Sequence, residues 1–192
     1  MKRRLSLWQM VVLSCLLLLS GCAGVESFSH TQENTSQTES SMPELEDTDW
    51  MAVSTDAAAF DLNGGLDNPN FEYVLDHTDT VPLDQLIAFT LVADGLSEGA
   101  CDELRSRFLE APNTVLAYLI LMGDKQVGFW DNPPAAEVIC RFIASADAAW
   151  YGGSEEFART MEACRESYPS GPIAELLDVM ETEHKASMER NQ

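Results

Sequence analysis

Between residues 83 and 180 the apolar side chains recur at intervals of three and four, which restricts this part of the chain to helices packed on one another. Leu83, Leu86, Ile87 and Leu91 fall on one face, with Pro82 ahead of them and Gly95 as the stop signal. Cys101, Leu104, Phe108 and Ala111 share the next face, with Ser97 in capping position and Glu103–Arg107 as an i,i+4 ion pair. Asn132-Pro133-Pro134 opens a long helix whose stripe is Ile139, Phe142, Ile143, Ala146 and Trp150, and Gly152-Gly153 ends it. Ser154 then caps a helix carrying Phe157, Met161, Cys164 and Tyr168. After the break at Pro169 to Pro172, Ile173, Leu176, Leu177 and Met180 mark a last amphipathic helix.

Two stretches resist this reading. Val115 to Met122 is so nearly all apolar that periodicity cannot separate a buried helix from a core strand. Trp50 to His77 mixes short apolar pieces with the turn signals Asn63-Gly64-Gly65 and Asn68-Pro69-Asn70, so short strands or a helix over 51–60 both fit. Gln126 to Trp130 has the pattern of a short strand. The expected fold is mainly α: a bundle of five or six helices, with irregular or short β segments near residues 50–77 and 124–130.

The first 48 residues obey different rules. Lys2, Arg3 and Arg4 precede an apolar run from Met10 to Leu19, broken only by Ser14. That pattern fits a secretory signal peptide, and the run falls short of the roughly 20 apolar residues needed to span a bilayer. It ends in Leu19-Ser20-Gly21-Cys22, which resembles the lipobox of bacterial lipoproteins. The resemblance covers residues 1–22 alone. It implies cleavage before Cys22, a thioether-linked diacylglyceryl group on that thiol, and a membrane partner through the lipid, facing away from the cytoplasm. Two acyl chains anchor stably where one holds only marginally. From Glu26 to Thr48 the chain is rich in Ser, Thr, Gln and Glu, a composition that cannot bury enough surface to offset its entropy. Residues 1–21 therefore read as leader, 22–48 as lipidated cysteine and tether, and 49–192 as one helical domain.

Charge narrows the partners. The chain carries 32 Asp and Glu against 11 Lys and Arg, a net charge of −21, and the leader holds three of those basic residues. Nucleic-acid binding through a phosphate-neutralising patch is excluded on that balance, leaving a protein or a small ligand as the partner. No Lys or Arg occurs between Ala23 and Leu104, where 18 acids lie; a solvated anionic face and a cation site both account for this.

Of the five cysteines, Cys15 belongs to the leader and Cys22 to the lipid. Cys140 and Cys164 stand equally far on either side of Gly152, at the same height in an antiparallel helical hairpin, where a bridge is allowed. Three buried free thiols, Cys101 included, are the equal alternative.

Candidate chemistry is sparse. Gly95-Leu96-Ser97-Glu98-Gly99 matches the G-x-S-x-G nucleophile elbow of a serine hydrolase, and chain order allows Ser97, Asp147 and His184 as a triad. The elbow needs a strand before the serine, whereas Leu83 to Leu91 has helical spacing, so cap residues are the simpler account. Asp61 to Glu72 places oxygen donors at loop positions 1, 3, 7 and 12 of a Ca²⁺ loop, but Gly65 and Leu66 stand where a donor and the glycine belong. Trp130 is a candidate binding aromatic. The expectation is no catalytic residue, metal ligand or cofactor, and a non-catalytic binding module.

Overall fold

The computed structural model describes residues 47–93, 97–125 and 134–191. Residues 1–46 with Cys22, 94–96 with Gly95 and Leu96, and 126–133 with Trp130 and most of the β segment expected at 124–130 lie outside them. Among the described residues there are nine α-helices and no strand. They are α1 (Trp50–Thr55), α2 (Ala57–Leu62), α3 (Pro69–Asp76), α4 (Leu83–Val92), α5 (Glu98–Glu110), α6 (Pro112–Met122), α7 (Ala135–Tyr151), α8 (Glu155–Ser167) and α9 (Pro172–Arg190), with a 3₁₀ turn at Gly65–Asp67. None of them is long and apolar enough to cross a membrane.

The β segments expected over 50–77 are not there: that region is three short helices. Each begins where a polar side chain takes up free backbone N–H groups. Asp49 accepts from Ala52 N at 3.0 Å, Asp56 from Ala58 N at 2.9 Å, and Asn68 from Asn70 N at 2.8 Å. Pro69 occupies the first turn of α3, where its missing N–H costs nothing. Trp50, Phe60, Phe71 and Phe89 then gather in one aromatic cluster, with ring centroids 5.4–6.4 Å apart along the contacts that join them. Thr48, read as the end of the tether, is buried and accepts from Asn70 Nδ2 at 2.7 Å, so the folded domain begins at or before it.

The Val115–Met122 run is helical. Val115, Leu116, Leu119 and Met122 are buried at spacings of one, three and three, while Leu121 faces out at 75% exposure. In α4 every residue from Leu86 to Val92 is buried, as expected of a helix packed on all sides. Burying Leu86, Ile87, Phe89 and Leu91 contributes about 1.5–3 kcal/mol each. Helix α7 packs on α9 along much of its length and on α5, α4 and α6 besides. Its buried alanines at 136, 144, 146 and 148 let the neighbouring backbones approach closely.

The end of α7 requires glycine. Gly152 has φ +65° and Gly153 φ +78°, the left-handed region that L side chains enter at a cost. A Cβ on Gly152 would meet open space, but one on Gly153 would lie 3.0 Å from Met188 Sδ and 3.3 Å from the His184 ring. Gly152→Ala is therefore expected to cost about 1 kcal/mol and Gly153→Ala about 2–3 kcal/mol, in equilibrium urea unfolding. Equal costs would show that the second turn position is not crowded.

Candidate functional site

The turn at Gly152-Gly153 reverses the chain so that Ser154 comes back onto Asp147, seven residues earlier. The N–H groups of both glycines bond the Asp147 carbonyl. The Asp147 side chain is fully buried. Its Oδ1 accepts from Arg105 Nε at 2.8 Å and from the Ser154 hydroxyl at 2.7 Å. Its Oδ2 accepts from Ser154 N at 2.9 Å, and His184 Nε2 lies 2.9 Å away. Arg105 Nη2 also reaches the same carboxylate at 2.7 Å and donates to Ser154 Oγ at 3.1 Å. One carboxylate of α7 thus holds side chains from α5, α9 and the N-cap of α8.

Apolar and aromatic groups wall the network. The Tyr151 ring lies 3.6 Å from the Arg105 guanidinium carbon, and its hydroxyl donates to Asp102 Oδ1 at 2.8 Å. The His184 ring stacks on Phe157, with centroids 4.8 Å apart and planes at 18°. Burial by itself would raise the Asp147 pKa. The hydrogen bonds from the Ser154 hydroxyl, His184, the Ser154 N–H and Arg105 outweigh it and hold the carboxyl below its ordinary value. On α9, Glu183 is likewise held down: burial raises it, while bonds from Arg190, Ser187 and Ser145 lower it further.

The arrangement is built for rigidity. A Ser–His–Asp nucleophile needs its hydroxyl bonded to the imidazole, so that a base can take the proton. Here the nearby hydroxyl, Ser154, donates to the carboxylate and accepts from Phe157 N at 3.1 Å as the N-cap of α8. Of the three sequence-derived triad candidates, the structure brings Asp147 and His184 together. Ser97 sits at the N-terminus of α5, eight residues and so about 12 Å along the helix axis from Arg105. Its side chain bonds the Cys101 thiol, and the segment that would have to be the elbow's strand is α4.

Sequence reading missed Arg105 and Tyr151. The signal for Arg105 was present: it falls four residues after Cys101 and three before Phe108, on the apolar stripe of α5. Asp147 likewise follows Ile143 by four on the stripe of α7. Two opposite charges, each on a buried face, need each other.

Cys101, Cys140 and Cys164 are buried free thiols. Burial pushes the Cys101 thiol up to about 11, partly opposed by Ser97, and raises Cys140 and Cys164 as well. Helix α7, with Cys140, packs mainly on α9 and α5, and α8, with Cys164, on α9, α5 and α6.

Asp61 to Glu72 folds as the end of α2, a glycine turn and the start of α3. Asn63 Nδ2 donates to Ala59 O, and Asn68 Nδ2 to Asn63 O, both at 2.7 Å, so these side chains serve the turn. Among the described residues no three His, Cys, Asp or Glu side chains gather where they could hold a metal ion. A groove of about 330 Å³ between α8 and α9 is lined by Phe157, Met161, Arg165, Glu181 and the edge of His184. Another of about 320 Å³ lies between α6 and α9, with Leu119, Ile120, Leu176 and Val179 among its walls. Compared with protein-family models, curated proteins and solved structures, the chain matches none.

The lowered Asp147 pKa fixes the sign of an acid effect. Its stabilisation is present above the unfolded-state pKa, about 3.9, and is lost as pH falls through the lower folded-state value. Asp147→Asn is expected to cost about 3 kcal/mol at pH 7 by leaving Arg105 buried without its counter-charge. The gap between wild type and variant should then narrow as pH falls below about 4. Urea midpoints from pH 7 to pH 3 would measure this; a gap that stays constant would contradict the assignment.

Proposed function

We propose that this chain is a bacterial lipoprotein whose helical domain acts as a non-catalytic binding module on the outer side of the membrane. The observation that carries this reading is Leu19-Ser20-Gly21-Cys22 directly after a charged start and an apolar run of signal-peptide length. Processing there would leave a chain of 171 residues beginning at Cys22, with net charge −24 and its lipid as the membrane contact. The polar stretch that follows would hold the domain away from the bilayer, and the excess of acid would keep it clear of anionic headgroups.

A binding role rather than catalysis is supported by how Asp147 and His184 are used. Both carboxylate oxygens are engaged, His184 Nε2 faces Asp147, and the neighbouring hydroxyl carries no base. Such a network holds helices in place and offers no activated nucleophile.

Metabolic labelling with palmitate tests the anchor. Wild-type chain expressed in a bacterium should incorporate label and give a mature mass that begins at a diacylglyceryl Cys22. Cys22→Ser should lose both. An intact leader on the purified protein, or label retained by the variant, overturns the reading.

A further inference from the structure

Helix α6 lies open to solvent along one side and carries no charge. In a chain of which 22% is charged, none of its eleven residues is. Its inner side is Val115, Leu116, Leu119 and Met122. By helical spacing the opposite arc is Thr114, Ala117, Tyr118, Ile120 and Leu121, all exposed except half-buried Tyr118. A helix with one side in water normally sets its charged residues there. Two apolar furrows flank this ridge. The groove against α9 adds Leu176 and Val179 to Ile120, and an open depression of about 600 Å³ sets Leu83 of α4 beside Ala117, Tyr118 and Leu121. Among the described residues, every charged side chain lining the two furrows is an acid: Asp84 in the depression, Asp124, Glu137 and Glu175 in the groove. Glu137 shares its charge with Arg141 at 3.6 Å, and Lys125 follows beyond the end of the helix.

We propose that α6 and its two furrows dock a basic amphipathic helix of another protein. A ridge between two grooves is the surface on which a second helix packs, with apolar side chains at i, i+3, i+4 and i+7 filling the furrows. Lys and Arg on either side of that stripe would meet the acidic rim. Charge decides against a second copy of this chain, which has a net charge of −21 and would bring the same carboxylates against the same rim. The helical form follows from the backbone. Among the described residues there is no strand, so no sheet edge is offered to an extended peptide, whereas a helix bonds its own backbone and needs only pockets for side chains. The inference names the partner class for the binding module proposed above; it rests on the non-catalytic part of that reading and makes no use of the lipid.

The test titrates the full chain, held in phosphatidylcholine nanodiscs, into a dye-labelled peptide at constant ionic strength and reads fluorescence anisotropy. The peptide is a leucine–lysine helix of about 14 residues, about 21 Å long against about 16 Å for α6, with its leucines in one stripe. It is expected to bind saturably, one per chain. The same residues with the leucines spread around the helix, and a leucine–glutamate version, should each bind about tenfold more weakly or worse. Leu121→Ser, at a side chain already in water, should weaken binding about three- to tenfold, and so should Asp84→Asn combined with Asp124→Asn. Glu155→Gln with Glu156→Gln removes the same charge from the start of α8 and should leave binding unchanged. Equal binding of the spread peptide, an equal loss in the α8 variant, or unaltered binding by Leu121→Ser would overturn the assignment. So would a concentration-dependent dimer that Leu121→Ser abolishes, which would give the face to a second copy. Leu121→Ser should still incorporate palmitate, so a failure here is distinct from a failure of the anchor.

Discussion

The C-terminal half of this fold depends on one buried carboxylate. Asp147 lies at zero exposure inside an acidic chain, a position that would be prohibitive for a charge without donors. It is tolerable because Arg105, Ser154 and His184 converge on its two oxygens from three other places in the chain. Each of those donors in turn has a fixed seat. Arg105 is sandwiched under Tyr151, Ser154 is pinned by the glycine turn and the start of α8, and His184 lies flat on Phe157. The network therefore specifies how α5, α7, α8 and α9 meet, which apolar packing by itself specifies loosely.

The acidic residues of the N-terminal region have a more local use than charge alone suggests. Asp49 and Asp56 cap α1 and α2, where a carboxylate meets both free N–H groups and the positive end of a helix. A second basic anchor, Arg107, donates to the carbonyls of Val81 and Thr78 and to Glu103, and so fastens the connection before α4. An acidic chain of this kind uses its few arginines at joints. Arg165 does the same from α8, reaching Ala174 O and Glu181 on α9, whereas Arg190 pairs with Glu183 within α9 itself.

Long helices were legible in the sequence because their apolar residues repeat over several turns and glycine, proline or serine marks their ends. Helices α1 and α2 were not: at six residues each they are under two turns long, too short for a 3.6-residue period to stand apart from an alternating one. Helix α6 was ambiguous for the opposite reason, since exposed Leu121 and half-exposed Ile120 hide which face is buried. For the site, chain order suggested Asp147 and His184 as partners of a nucleophile. The structure pairs them with each other and with Arg105, and the legible clue was the pair of opposite charges on two apolar stripes. Trp150 counted as a stripe residue by spacing, yet it is only half buried.

A double-mutant cycle between Arg105 and Asp147 tests most directly whether this ion pair organises the bundle. Arg105→Met and Asp147→Leu are each predicted to be strongly destabilising, because the first takes the arginine counter-charge from buried Asp147, leaving it Ser154 and His184, and the second leaves buried Arg105 without its carboxylate. The double variant should be far less damaged than their sum, with a coupling of about 2–3 kcal/mol. Strict additivity of the two losses would mean that the contact does not hold the helices together, and the account built on it would fail.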